Sequence, residues 1–569
     1  MKLTGGQAAV KALEIENIPY VFGLIGSATM EMFDALYSSE SIKFIGVRDE
    51  RTGTHMADGF ARASGIAGVI LAGQNGPGST NLITGLAQAK AAFSPVISIA
   101  GALSTDHLYR DAFQEVDQEA LFKPITKKSW TAPSANRLPD LFREAFRTAL
   151  APRSGPVHLN LPRNVLAAEA EFPAFQNPEQ YRPCSPAAAS ENSLSQAATA
   201  MASAQRPVII VGGAIKNTQK DEIVLKLASL LNCPIVCAPG HGDAIGFDHP
   251  LNAGQMGPRG NIVASKLVKE ADMILALGTR LGFNSTFFSY DNINADADII
   301  QVEHEPTAIG RYFPVSLGIL ADAPLFAEQL LEKLKDQIVR GQADAWCAAY
   351  QQERQAYLVN REAIAVDHAF NEMMNREFIQ PSGLFKSLRN HLPKTAAITM
   401  DAGTLCLQAT DNMNYHQTKS LFTPLDFGLV GFSFACGLGV KLAMPERPVV
   451  SFMGDGGFGM TISELSTAVQ YGINTVTIVM NNGSWGAEKA YQRDFFGERY
   501  IGADITSPPF DKVAELYGAA GYAVDHLDQL PDALNSALEC GKPAVIDVSV
   551  DPAALYSFRR DSFTHRAKS

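Results

Sequence analysis

The chain has 569 residues, 46 % of them hydrophobic and 19 % charged, with 47 basic residues against 59 acidic ones and a net charge of −12. At roughly 100–200 residues per domain, this length predicts about three domains, and the balance excludes a disordered or fibrous chain. The acidic surplus leaves no global field to gather nucleic acid, although a local basic pocket for a small anion is compatible with it.

The first residues, MKLTGGQAAVKALEIEN, turn polar and acidic too early for a signal peptide. Nowhere do roughly 20 uninterrupted apolar residues form a membrane span, so a cytoplasmic protein without a membrane partner is expected. Short apolar runs then alternate with helical stretches. YVFGLIG, AGVILAG, SPVISIAG and GPVHLNLP come first, then RPVIIVGG, CPIVCAP, ADMILALG and DIIQVEH, and finally AAITMDAG, RPVVSFMGD, NTVTIVMNN and KPAVIDVSV. Runs of this kind, several closed by Gly, Pro or Asn, read as buried parallel strands and predict an α/β fold. Residues 167–192, rich in Pro, Ala and polar residues, read as a linker. Residues 336–380 are polar and read as helical, with no strand run.

Cutting there predicts three Rossmann-like parallel-sheet domains at 1–170, 190–340 and 375–552, with a tail at 553–569. The first and third blocks close alike, on a Gly/Pro turn and a final alternating strand. That similarity predicts two copies of one fold around a different middle domain. In the middle block Val211-Gly212-Gly213-Ala214 is not the GxGxxG fingerprint, so nicotinamide binding has no support and no flavin or adenine nucleotide is assigned there. The seven cysteines are scattered; Cys233 and Cys237 lack a second pair for zinc and read as reduced buried thiols.

The third block carries the sharpest chemical signal. Gly454-Asp455-Gly456-Gly457 follows a strand run, and Asn481-Asn482-Gly483-Ser484-Trp485-Gly486 follows the next one. Twenty-seven residues separate Asp455 from Asn482, enough for one strand-helix-strand crossover. Both clusters should therefore emerge at the carboxyl ends of adjacent parallel strands, where α/β folds bind ligands. A carboxylate, an amide oxygen and a nearby backbone carbonyl make a hard oxygen set suited to Mg²⁺ or Ca²⁺, and Mg²⁺ leaves its other positions to phosphates and water. The glycines let the backbone approach a diphosphate.

The first block adds RDERTGTHMADGFAR at 48–62 and QNGPGSTN at 74–81. With the two clusters above, these stretches resemble the acetolactate synthase and pyruvate oxidase superfamily of thiamine-diphosphate enzymes. The resemblance implies thiamine diphosphate and Mg²⁺ as cofactors, with Asp455, Asn482 and Ser484 on the metal. It implies cofactor contacts at Gly76, Gly454, Gly456, Gly457, Trp485 and Gly486, and at Gly428 and Val430 in the stretch GLVGF. Glu50 would meet N1′ of the aminopyrimidine and Gln114 a substrate oxygen. A buried carboxyl with a raised pKa suits the first role, because the cofactor's amino group accepts the thiazolium proton only if N1′ is protonated or strongly hydrogen-bonded.

FGLIGSA, FQEVDQ, LALGTRL, WGAEK and the FRRD tail narrow the resemblance to sulfoacetaldehyde acetyltransferases, which take sulfoacetaldehyde and phosphate to acetyl phosphate and sulfite. The alternative is a carboligase or 2-oxo acid decarboxylase of the acetolactate synthase type. Holding two anions near one carbon requires cations. Lys489, Arg559 and Arg560 are the first candidates, with Arg110, Arg280 and Arg493 behind them. His55 and His107 are given no role. The family's cofactor sites lie between subunits, so a homodimer or homotetramer is expected.

Overall fold

In the computed structural model, residues 1–335 and 343–556 are described. Within them the chain builds three six-stranded sheets, each wholly parallel, and two small antiparallel pairs. The first sheet runs Lys43–Gly46, Tyr20–Leu24, Gly68–Ala72, Val96–Ala102, Val157–Pro162, Ser129–Thr131. The third runs Leu421–Phe422, Ala397–Met400, Val449–Gly454, Val476–Asn481, Ala544–Ser549, Ala520–Val524. Counted along the chain, both follow the order 2-1-3-4-6-5, so the outer domains are two copies of one topology. The middle sheet is different: Asn252–Gln255, Ile235–Cys237, Pro207–Val211, Met273–Leu277, Asp298–Glu303, Leu317–Leu320, in the order 3-2-1-4-5-6 of doubly wound nucleotide-binding folds.

Two segments read as connections contain strands. Glu169–Glu171 pairs antiparallel with Lys2–Thr4. In the stretch expected to be strandless, the helix Asp344–Ala363 is followed by a hairpin of His368–Asn371 and Arg376–Ile379, which corrects that expectation. The reason is physical. Only Phe378 and Ile379 of the hairpin are buried, so its sequence lacks the apolar run that marks a core strand. Ile379 then bridges to Val550 beyond the last strand of the third sheet.

The helix Glu50–Ser64 holds the first and third domains together. Asp49 caps it by accepting from the Arg51 amide at 2.7 Å, and Gly65, at φ +84°, ends it in the left-handed region. It is buried almost all round, as a helix enclosed between a sheet and another helix must be. Its partner is the helix Ser433–Ala443. A Cβ on Gly439 would lie 1.9 Å from the Met56 carbonyl oxygen, and one on Gly59 would lie 2.3 Å from that of Cys436. A single apolar core therefore includes Phe22 and Met56 of the first domain with Phe434, Leu438 and Met453 of the third.

Gly439→Val tests this crossing. The new methyls have no room beside Met56, and overpacking of this kind costs roughly 1–3 kcal/mol. Calorimetry should show a lower thermal midpoint; an unchanged midpoint would contradict the backbone-to-backbone approach.

Candidate active site

In the third sheet the chain reverses its winding direction between Ala397–Met400 and Val449–Gly454, which makes their carboxyl ends the natural place for a ligand. Each of these strands is followed at once by an aspartate, Asp401 and Asp455. Asp455 is 1 % exposed. Its Oδ2 accepts from Ser507 Oγ at 2.7 Å, while Oδ1 is buried with no hydrogen-bond partner among the described residues. Burial pushes this carboxyl above its usual range, against the pull of Ser507 and of backbone N–H groups nearby.

Asn482, one crossover later, accepts from the Ser484 amide at 3.2 Å through its side-chain oxygen. Ser484 Oγ and Thr404 Oγ1 are two further buried oxygens without hydrogen-bond partners among the described residues. Thr404 Oγ1 and Asn482 Nδ2 lie 3.3 and 3.2 Å from where a Cβ on Gly486 would sit. Unpartnered oxygens beside a buried carboxylate are costly in an apo-protein and are the donor set a hard cation takes up. Among the described residues no three His, Cys, Asp or Glu side chains gather as a metal site. A cation here would meet one carboxylate and neutral oxygens, leaving its remaining positions for phosphate oxygens.

The glycines of this motif do more than admit a ligand. A Cβ on Gly456 would strike the Trp485 ring at 2.6 Å, and one on Gly457 would strike Asp401 Oδ2 at 2.2 Å, whereas Gly454 faces open space. Asp401 itself carries no assignment in the sequence reading. Its carboxylate, pushed up to about 6 by burial, accepts from the amides of Gly431 at 2.9 Å, Phe432 at 2.7 Å and Ser433 at 3.3 Å. It thereby fixes the stretch that carries Gly428, exposed at φ +75°, and half-buried Val430, which lies against Gly457. A strand run ending in Asp-Ala-Gly beside another ending in Gly-Asp-Gly was the available signal.

The first domain supplies a separate group. Glu50, 4 % exposed at the start of its helix, accepts from Asn81 Nδ2 at 2.9 Å, and burial raises its carboxyl against that bond. Gly78 passes close to its other oxygen. Asn81 lies within QNGPGSTN but carries no role in the sequence reading. Gly76 leaves room for the Gln114 carbonyl, which accepts from Asn75 Nδ2 at 3.0 Å. Gln114 is half-buried with φ +64°. Its loop is gathered by Glu115, whose carboxylate accepts from the amides of Tyr109 at 2.6 Å and Ala112 at 3.1 Å. The side-chain hydrogen bond of Glu50 stays within the first domain and that of Asp455 within the third.

The basic candidates disperse. Lys489 pairs with Asp504 at 2.5 Å and lies over the Tyr500 ring. Arg493 pairs with Asp494 at 2.8 Å, Arg280 sits 3.7 Å from Asp426 and over Phe93, and Arg110 is exposed. Arg559 and Arg560 lie outside the described residues. His55 is buried, neither ring nitrogen has a hydrogen-bond partner among the described residues, and burial holds it neutral, its pKa lowered to about 3.

Paired copies of one parallel fold, with oxygen donors at a switch point, place this chain among cofactor-binding α/β proteins. Comparison with known families makes that specific. Residues 3–121 match the N-terminal TPP binding domain of thiamine pyrophosphate enzymes, residues 194–330 their central domain, and residues 401–548 their C-terminal TPP binding domain. The chain belongs to the thiamine pyrophosphate enzyme family. It is 31 % identical to a sulfoacetaldehyde acetyltransferase of Alcaligenes xylosoxydans xylosoxydans, over 99 % of this chain and 96 % of that one. It is 30 % identical to a probable acetolactate synthase large subunit of Methanococcus aeolicus, over 98 % and 93 %. A sulfoacetaldehyde acetyltransferase of Castellaniella defragrans is also 30 % identical, over 99 % and 96 %. No helix among the described residues is long and apolar enough to cross a membrane.

Asp401→Ala should release three buried amides from a charged acceptor, at roughly 2–4 kcal/mol. A lower thermal midpoint of the cofactor-free protein is expected, and an unaltered one would show that Asp401 does not organise residues 428–433.

Proposed function

We propose that this enzyme catalyses thiamine-diphosphate-dependent acetyl transfer, converting sulfoacetaldehyde and phosphate to acetyl phosphate and sulfite. The observation that carries the reading is end-to-end similarity to relatives of that name at 31 % identity. Relatives named acetolactate synthase at 30–31 % keep a carboligase or 2-oxo acid decarboxylase as the second reading.

Thiamine diphosphate, when bound, supplies a thiazolium carbon that adds to a carbonyl and carries an acyl unit. The residues divide the remaining work. Asp455 Oδ1, the Asn482 side chain and Ser484 would hold Mg²⁺ against the diphosphate, with Gly454, Gly456, Gly457, Trp485 and Gly486 around it, and Gly428 and Val430 would line the thiazolium. Glu50, its carboxyl raised by burial, holds a proton at the aminopyrimidine N1′. Gln114, whose carbonyl Gly76 leaves room for, is assigned to a substrate oxygen. Lys489, Arg559 and Arg560 are assigned to sulfonate or phosphate, and Lys489 must exchange Asp504 for the anion. The enzyme assembles as a homodimer or homotetramer, with the first domain of one copy completing the site of another. Exposed Ile25, Tyr109 and Phe113 of the first domain, and Phe427, Phe496 and Ile501 of the third, supply apolar surface for that contact.

The purified enzyme should release sulfite from sulfoacetaldehyde in step with acetyl phosphate, and only when phosphate is present. Carbon dioxide from pyruvate without a phosphate requirement would transfer the assignment to the second reading.

Glu50→Gln should bind thiamine diphosphate with near wild-type affinity yet lose about 10²–10⁴-fold in turnover, since an amide is a poor proton partner for N1′. Hydrogen exchange at C2 of the bound cofactor, quenched and read by NMR, separates the two effects. Exchange at the wild-type rate would remove Glu50 from the activating role.

A further inference from the structure

The segment that follows the NNGSWG motif folds back along it. Trp485 donates its amide to the Ala503 carbonyl at 2.7 Å, Ile505 donates to the Gly483 carbonyl at 2.9 Å, and Ser484 and Asp504 form an antiparallel bridge. Side chains alternate along this short extended stretch. Ala503 is buried, Ile505 and Ser507 are half-buried, and Asp504 and Thr506 are exposed. Its inner face therefore ends on Ser507, whose hydroxyl donates to Asp455 Oδ2.

Both flanks are tied down. On the outer face Asp504 pairs with Lys489. Beyond the exposed Pro508-Pro509 pair, the Phe510 amide donates to Asp547 Oδ2 at 2.9 Å, while Asp547 Oδ1 accepts from Asn481 Nδ2 at 3.1 Å. One carboxylate thus joins the end of this segment to the residue next to Asn482. The Phe510 ring, 1 % exposed, packs 5.2 Å from that of Phe458, in the short helix that Asp455 begins.

We propose that residues 503–507 form a strap across the cation site, and that Ser507 is a positioning residue which engages Asp455 Oδ2 so that Oδ1 is the oxygen presented to the cation. This rests on the reading of Asp455 as a Mg²⁺ ligand. A free carboxylate rotates about its own axis and offers either oxygen. The Ser507 hydrogen bond removes that freedom before the cation arrives. Partners of this kind, which touch a ligand and not the metal, typically carry 10–100-fold in metal affinity.

The experiment is a calorimetric titration of cofactor-free protein with Mg²⁺ at fixed thiamine diphosphate, beside thermal unfolding of the cofactor-free form. Ser507→Ala should need about 10–100-fold more Mg²⁺ for half-loading, with the cofactor-free midpoint unchanged. Ser507→Thr, which keeps the hydroxyl, should load close to wild type. Wild-type loading of Ser507→Ala would overturn the proposal. So would a fall in the cofactor-free midpoint of Ser507→Ala without rescue by threonine, which would make the effect one of folding. Asp455→Ala separates the two layers. If it also loads normally, the metal reading itself fails. If it loses loading while Ser507→Ala does not, only the strap is withdrawn.

Discussion

Where the helices Glu50–Ser64 and Ser433–Ala443 cross, backbone meets backbone, because Gly59 and Gly439 leave no side chain between them. Within one chain this contact sets where Glu50, at the head of one helix, lies relative to the loop that leads into the other and carries Gly428 and Val430. Glu464 reinforces it from the third domain. Its buried carboxylate accepts from the Arg48 amide at 2.9 Å and from Thr52 Oγ1 at 2.5 Å, on either side of Glu50. Two topological copies joined through their helices in this way share one apolar core.

The middle domain is attached by a different kind of interaction. Lys216 and Asp243 form an almost fully buried ion pair at 3.1 Å, and Asp243 also accepts from the amides of Ser420 at 2.8 Å and Leu421 at 2.9 Å in the third domain. Burial lowers the Lys216 ammonium, with Asp243 opposing it. A pair like this adds little net stability over apolar packing, but losing one partner leaves an uncompensated charge inside the protein. It lies at the contact between the middle and third domains, which Gln255 Nε2 donating to the Thr410 carbonyl and Asn284 Nδ2 donating to Asp426 also span. The same sheet ends in closely packed Gly212 and Gly278 rather than in a glycine fingerprint.

Around the candidate site burial raises the pKa values of several carboxylates, among them Glu50, Asp401 and Asp455, and the chain uses these three differently. Asp401 is satisfied by three amides and builds a loop. Glu50 is buried with one side-chain amide donor, Asn81, and no cationic partner among its recorded contacts, which favours a shared proton. Asp455 keeps one oxygen without a partner among the described residues, which suits a cation. The neighbours decide the role, since the residue types are nearly the same.

The sequence by itself determined a good deal. Long apolar runs specified the parallel strands, because a strand buried on both faces must be apolar throughout. The spacing of GDGG and NNGSWG placed Asp455 and Asn482 at neighbouring strand ends, because one crossover has a characteristic length. The shared 2-1-3-4-6-5 order was hinted at only by similar closing strands. Tertiary structure alone decided the rest. Asn81 on Glu50, Asp401 under residues 431–433 and Ser507 on Asp455 are contacts between residues about 30 to 50 positions apart, made by polar side chains that carry no periodic signal. The hairpin at 368–379 escaped for a related reason, since strands with little buried surface need no hydrophobic pattern. Patterning records which faces avoid water; it does not record which polar atom will meet which, and that depends on where the folded backbone brings them.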